Sequence, residues 1–184
     1  YRTLLSELPS RVDRYIGLDV KSDAYGTRDV EWDGFVMPFA NDSMDCAVAT
    51  EVLEHLARPE VLLGEVWRVL RPNGVFFFTT PFLWPLHDVP YDEYRYTPYA
   101  LERHLRNCGF EQIELRALGG WDASLAQMVG LWVRRRPMSR TWRFVLSRAL
   151  LPFVRILLRL DRLPARFQSN TMIIGVCGTA TKGL

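Results

Sequence analysis

Glu51-Val-Leu-Glu-His55 sets two carboxylates and an imidazole in one short run, and a second imidazole, His87, follows the next apolar run. Oxygen and nitrogen donors grouped this way can ligate a divalent cation, so Glu51, Glu54, His55 and His87 are candidate metal ligands. The residues after His87 are rich in groups that hold or move protons: Asp88, Tyr91, Asp92, Tyr94, Arg95 and Tyr96. An unperturbed imidazole titrates near neutral pH, which makes His87 the candidate general base. Tyr94 and Arg95 can orient an acceptor or its anionic group. Two isolated acids complete the set. Asp19, closing the run Tyr15-Ile-Gly-Leu-Asp-Val20, can accept hydrogen bonds from both hydroxyls of a ribose. Asp33, in Trp32-Asp33-Gly34, precedes Val36-Met-Pro-Phe39, where a carboxylate can accept from an adenine amino group between apolar neighbours. Plainer roles stand beside these: a solvated turn for Asp19, a turn cap for His87, and cover over the sheet end for the tyrosines.

Such side chains need elements that gather them. Tyr15 to Val20, Asp45 to Thr50 and Val75 to Thr80 are short, continuously apolar runs, the pattern of strands covered on both faces. Asn41-Asp42-Ser43 and Pro72-Asn73-Gly74 supply turns into the second and third, and Pro81 stops the third. Between them, Pro59 to Leu70 places Val61, Leu62, Val66, Val69 and Leu70 at helical spacing, with Pro59 suited to an early helical position. Strand, helix, strand at these lengths is a βαβ crossover, so the predicted fold is α/β. In an open parallel sheet ligands bind at the carboxyl ends of the strands. Asp19, Thr50, Glu51 and the run from Pro81 to Tyr96 all fall there. Thr97-Pro98 opens a predicted helix through Cys108, closed by Gly109. Glu111 to Ala117 alternates like an edge or antiparallel strand, Thr171 to Cys177 reads as a last apolar strand, and Arg2 to Leu8 reads as the end of a helix.

The chain has 184 residues, 48% hydrophobic and 24% charged, which suits one domain with a real core. Disorder, collagen-like repeats and a disulfide mini-scaffold are excluded. Cys46, Cys108 and Cys177 lie far apart in no zinc spacing, and read as buried thiols of a reducing, cytoplasmic compartment.

Charge is unevenly spread. Residues 134–166 hold ten arginines and one acid, Asp161, for a local +9, leaving −7 to the rest of a chain whose net charge is +2. A basic segment on an acidic body suits an anionic partner such as a membrane surface or nucleic acid, and a solvated, arginine-rich helix face is the plainer alternative. Within the stretch 121–168, Trp142 to Leu160 is strongly apolar, and the arginines at 148, 155, 159, 162 and 166 recur at spacings that place them on one helix face. The charges are too frequent for a transmembrane span, which needs about 20 predominantly apolar residues. An interfacial amphipathic helix touching a membrane through 140–166, or a lid, is the expectation. Helices packed on the sheet, or on a second subunit in a homodimer, are the alternatives.

Read in order, these runs resemble the class I S-adenosylmethionine-dependent methyltransferases, in the small-molecule branch related to ubiquinone-biosynthesis enzymes. The resemblance lies in Tyr15-Ile-Gly-Leu-Asp-Val20, Met37-Pro38-Phe39 with Asn41-Asp42-Ser43-Met44-Asp45, Glu51-Val-Leu-Glu-His-Leu56, Glu65-Val-Trp-Arg-Val-Leu-Arg-Pro-Asn-Gly74 and Thr79-Thr80-Pro81. It covers about Tyr1 to Ala117, with Thr171 to Lys182 as the expected final strand. It implies a single Rossmann-like domain over 1–184, with helices on both faces of the sheet and a helical, arginine-rich insertion or lid over 121–168. It also implies S-adenosylmethionine as cofactor. Asp19 matches the ribose-binding acid, with Val20 near the adenine. Asp33 matches the adenine-recognising aspartate, with Gly34 and Phe35 beside it, and Thr50 and Glu51 line the methionine part.

One departure stands out: the family's first strand and its glycine-rich loop are not in this sequence, so an upstream segment is expected in the natural protein. The implied activity is methyl transfer to a small-molecule or lipid-linked acceptor. The Glu-x-x-Glu-His pattern also resembles small-RNA 2′-O-methyltransferases and some quinone-ring O-methyltransferases that use a metal. An RNA methyltransferase and a non-catalytic scaffold that kept the fold are the rival readings. No compact aromatic and basic platform for stacked bases is present, which counts against nucleic acid.

Overall fold

The computed structural model describes residues 12–20 and 29–184. The helix end expected over Arg2 to Leu8 lies outside them. Two short strands, β1 (Leu18–Val20) and β2 (Val30–Trp32), pair in parallel. A larger sheet is built from β3 (Met44–Thr50), β4 (Leu70–Pro81), β5 (Phe110–Leu118) and β6 (Gly175–Lys182), in the order β3-β4-β6-β5. β3 runs parallel to β4, and β6 runs antiparallel to both β4 and β5. Helix α1 (Pro59–Val69) makes the predicted βαβ crossover, and α2 (Pro98–Asn107) precedes β5. Between β5 and β6 the chain makes a helical hairpin of α3 (Trp121–Arg135) and α4 (Arg140–Leu160).

The core follows from periodicity. Along β4 the side chains of Phe76, Phe78 and Thr80 are fully buried, while Phe77 and Thr79 on the opposite face are half-buried. Leu62, Leu63, Val66 and Val69 of α1, with Leu101 and Leu105 of α2, join Phe76 and Phe78 in one apolar cluster. Each such side chain contributes about 1.5–3 kcal/mol by leaving water. β6 makes room for the two phenylalanines: a Cβ at Gly178 would lie 2.6 Å from the Phe78 ring.

Several boundaries differ from the sequence reading. The last strand begins at Gly175, not Thr171, because its ladder is formed by the small residues opposite the β4 phenylalanines. Residues 171–174 only lead into it, although Ile173 is buried. The third expected strand starts earlier than Val75, with Leu70 already paired to Met44. The turn residues Pro72-Asn73-Gly74 are accommodated as an irregularity in the ladder, with Asn73 at φ +64°. β2 has no sequence signal, being only three residues long. Cys46 is exposed and Cys108 and Cys177 are half-buried, which corrects the expectation of three buried thiols. Cys46 sits on β3, the edge of the larger sheet, where Val48 is also exposed.

Helix α4 continues through Pro152 and ends at Leu160, so Arg162 and Arg166 lie beyond the helix face predicted to hold them. The hairpin is closed by Asp161. Its carboxylate accepts from Gly120 N at 3.0 Å and Ala123 N at 2.9 Å, capping the start of α3 from the end of α4. A carboxylate there satisfies otherwise unpaired N–H groups and meets the positive end of the helix dipole. Asp161→Ala is expected to lower the unfolding free energy by about 1–2 kcal/mol, with Asp161→Asn losing less. Chemical denaturation measures both, and an unchanged midpoint in the alanine variant would remove the cap from the argument.

Candidate active site

The carboxyl ends of β3 and β4 face the same way, and the segments leaving them meet. After β3 the chain turns sharply at Glu51, which takes φ +52°, and enters a single 3-10 turn at Leu53–His55. After β4 the loop over residues 82–97 folds back across that turn. The Glu54 carbonyl accepts from Glu93 N at 2.9 Å and Tyr94 N at 3.1 Å, and the Leu53 carbonyl accepts from the Tyr96 hydroxyl at 3.1 Å. Burial of Tyr96 pushes its phenol well above the usual range, so the hydroxyl is a lasting donor.

This folding-back brings Glu54, His55 and His87 together, with ligand-capable atoms within 4.8 Å of one another. Glu54 is fully buried, and neither of its carboxylate oxygens has a hydrogen-bond partner among the described residues. Burial raises its pKa above the ordinary carboxylate value, with Glu51 nearby adding to the rise. The two rings meet edge to face, centroids 4.7 Å apart. His55 Nδ1 lies 3.0 Å from the Tyr91 carbonyl, which can only accept, so the proton sits on Nδ1 and the lone pair on Nε2. That Nε2 faces Glu54 Oε1 at 3.7 Å and Asp88 Oδ2 at 3.9 Å.

His87 is held through its backbone by Asp92, and its Nδ1, close to that carboxylate, makes no hydrogen bond among the described residues. The Asp92 carboxylate is buried, accepts from His87 N at 3.0 Å, and lies 3.3 Å from His87 Nδ1. Arg95 donates to both its oxygens, at 2.6 and 2.8 Å, and this pairing holds the Asp92 carboxyl far below the usual range. His87 Nε2 lies 4.0 Å from Glu54 Oε1, on the side of the ring away from Asp92. Three proton-accepting groups therefore converge on one spot, an arrangement suited to holding a proton or a cation.

The other candidates are placed differently. Glu51 is not part of the cluster; its Oε1 accepts from the Thr79 hydroxyl at 2.7 Å. The Tyr94 hydroxyl donates to the Ala57 carbonyl, and its ring stacks on Tyr96. The Arg95 guanidinium serves Asp92 and the Pro85 carbonyl. Tyr94 and Arg95 thus hold the loop through these contacts. Asp92 was legible only as one polar residue among several. The signal that picks it out is the Asp-x-x-Arg spacing to Arg95, which means little until the loop is folded.

Asp19 and Asp33 stand at the ends of the neighbouring strands β1 and β2, and Thr50 ends β3 exposed. Asp19 Oδ1 accepts from Val20 N at 2.8 Å, which leaves acceptor capacity on an exposed carboxylate. Asp33 Oδ1 accepts from Phe35 N and Val36 N, and these bonds lower its pKa, so the group is ionised and fixed. Gly34 takes φ +86° in that turn, and Phe35, Val36 and Val20 expose apolar surface beside it. Asp33 is thus fixed by its turn, while Asp19 is an exposed carboxylate at the end of the neighbouring strand. Glu65 and Arg68 of α1 hold the next segment in place: Glu65 accepts from Met37 N, and Arg68 donates to the Met37 and Phe39 carbonyls. Two open clefts, of about 330 and 510 Å³, lie elsewhere and are lined by neither Glu54 nor His87.

Residues 4–78 match the sequence profile of a family described as a methyltransferase domain. Curated relatives include an uncharacterized methyltransferase of Mycobacterium marinum, 35% identical over 59% of this chain and 48% of its own length. One from Mycolicibacterium paratuberculosis is 32% identical over 56% of this chain and 46% of its own. The chain spans about half the length of the curated relatives it matches. Among solved structures, an S-adenosylmethionine-dependent methyltransferase of Archaeoglobus fulgidus superimposes with a TM-score of 0.53 at 16% identity, over 91% of this chain and 75% of that one. One from Thermotoga maritima gives 0.52 at 13% identity, over 83% and 63%. These structural likenesses show the Rossmann-like fold.

Proposed function

Given a methyltransferase domain of the S-adenosylmethionine-dependent kind, we propose that the protein methylates a small or lipid-linked acceptor, with His87 as the base. The observation that carries this reading is the convergence of His87 Nε2, His55 Nε2 and the unpartnered Glu54 carboxylate beyond the carboxyl ends of β3 and β4. When bound, the cofactor supplies an electrophilic methyl group. Asp19 accepts from its ribose hydroxyls, Asp33 from its adenine, and Val20, Gly34 and Phe35 flank the ring. Thr50 and Glu51 lie toward its methionine part.

The protein's share of the chemistry is positioning and proton removal. His87 Nε2 takes the proton that an acceptor hydroxyl or amine loses as its lone pair forms the new bond to carbon. Glu54 stabilises the imidazolium so formed, and Asp92, braced by Arg95, keeps the ring aimed. A second reading is favoured by the same unpartnered carboxylate: Glu54, His55 and His87 hold a divalent cation that binds the acceptor oxygen.

Calorimetric titration of S-adenosylhomocysteine into the complete protein tests the assignment. Asp19→Ala is expected to weaken binding by ten-fold or more, and equal affinity in wild type and variant removes the ribose assignment. No binding by either would favour a scaffold that kept the fold without the reaction.

A further inference from the structure

We propose that the α3–α4 hairpin is a docking surface for a membrane leaflet rich in anionic phospholipid. The inference stands independently of the methyl-transfer reading, because it rests on the hairpin alone.

The first observation concerns apolar side chains. Of the 21 residues of α4 only Leu157 is buried, while Trp142, Phe144, Phe153, Ile156, Leu158 and Leu160 are exposed. On α3, Trp121, Leu125, Met128 and Trp132 follow at spacings of four, three and four, a single exposed stripe. Apolar surface on this scale marks an interaction site, since a folded chain normally turns such a face inward.

The second observation concerns charge. Among the described residues, none of the ten arginines over 134–166 is in an ion pair. Of the eight described arginines elsewhere, six (Arg58, Arg68, Arg71, Arg95, Arg106 and Arg116) are paired with an acid. The lone acid of the segment, Asp161, is occupied in capping α3. Arg136 and Arg148 instead lie over the rings of Trp132 and Phe144, at 4.9 and 5.3 Å. Charges without partners, beside exposed tryptophan, phenylalanine and leucine, match the chemistry of an anionic bilayer surface. The rings and aliphatic groups enter the acyl boundary, and the guanidinium groups reach the phosphates.

Alternative occupants fit less well. On a helix, Arg148, Arg155 and Arg159 share one side, so a symmetric second copy would set arginine against arginine. RNA would meet the charges but leave the apolar groups in water. No described helix is long and apolar enough to cross a membrane, so the hairpin lies on the surface. Gln127 of α3 donates to the Leu83 carbonyl in the loop after β4, so docking would bring the Glu54–His87 site close to the bilayer.

Flotation with vesicles of phosphatidylcholine alone, and of phosphatidylcholine with about 30% phosphatidylglycerol, tests the proposal on the full chain. Strong binding to the anionic vesicles, weakened by salt, is expected. The triple change Arg148→Gln, Arg155→Gln and Arg159→Gln should weaken it by about a hundred-fold, at roughly five-fold per arginine removed. Trp142→Ala with Phe144→Ala should weaken it too while leaving every charge in place, and circular dichroism checks that both variants keep their helices. Equal recovery on neutral and anionic vesicles, or no recovery, overturns the proposal. So does tighter binding of single-stranded RNA through the same arginines, or a dimer whose formation accounts for the hairpin's burial.

Discussion

Asp92→Ala is expected to lower the free energy of unfolding at pH 7 by about 2–3 kcal/mol and, on the reading proposed above, the rate of methyl transfer by at least ten-fold. Two partners depend on this carboxylate. Its side chain is 2% exposed and that of Arg95 24%, so removing the acid leaves a largely enclosed guanidinium without its counter-charge. Breaking a buried pair from one side costs more than the pair contributes when intact, and the partial exposure of Arg95 places the loss toward the low end. His87 loses the acceptor that fixes its backbone and faces its Nδ1. The pH dependence has a definite sign. Arg95 depresses the folded-state pKa of Asp92, so the stabilisation is present above the ordinary value of 3.8 and is lost as pH falls toward the lower folded value. The gap between wild type and variant should therefore close in acid. Urea unfolding at pH 7 and pH 3 reads it, and a gap of equal size at both would show that the carboxylate acts by shape and not by charge.

Glu54→Leu is expected to do the opposite to stability and worse to activity. At pH 8 an unpartnered, fully buried carboxylate is a cost, and replacing it with an apolar side chain of similar size should stabilise the fold by about 1–3 kcal/mol. The folded-state pKa of Glu54 is raised by burial, so its neutral form is tolerated below the ordinary value of 4.5 and stability is lost as pH rises through the raised value. The advantage of the leucine variant should accordingly grow from pH 4 to pH 8. On the reading proposed above, methyl transfer should fall by about 10²-fold or more, because the His87 imidazolium would lose a neighbouring carboxylate. A more stable and less active protein is what a functional, unpaired charge predicts. The same variant tests the cation reading: a rise in melting temperature on adding zinc or magnesium should be present in wild type and absent in Glu54→Leu. A variant that is both less stable and fully active would assign Glu54 to packing alone.

The sequence announces elements whose cause is local. α1 shows itself through Pro59 and the spacing of Leu62, Val66 and Val69, and α2 through Thr97-Pro98 and Gly109, whose positive φ of 91° suits glycine and whose Cα lies close under the Trp67 ring. β3 and the body of β4 stand out as apolar runs. What stays hidden depends on distant partners. Val30–Trp32 is a strand only because β1 lies beside it, and the last strand shows an apolar run only as far as Cys177, its remainder to Lys182 being small residues held by the β4 and β5 ladders. The candidate site divides the same way. His87, Glu54 and His55 are visible as types, but the orphaned state of Glu54 and the grip of Asp92 on His87 arise when the 82–97 loop closes over the 3-10 turn.

The ends of the insertion meet at a single point. Leu118 and Gly175 are ladder partners on adjacent antiparallel strands, Ile174 N donates to the Leu118 carbonyl, and Asp161 ties Gly120 to the far end of α4. Topologically the whole helical excursion is the connection of a β-hairpin, swollen from the few residues such a connection needs. Nothing in the sheet's pairing depends on what fills it. The segment is thus a cassette: a relative could carry a short turn, a different lid or a different anchor at the same junction and keep the same catalytic floor. Exchange of this one connection would change the surface the protein presents while leaving the β5–β6 ladder in place.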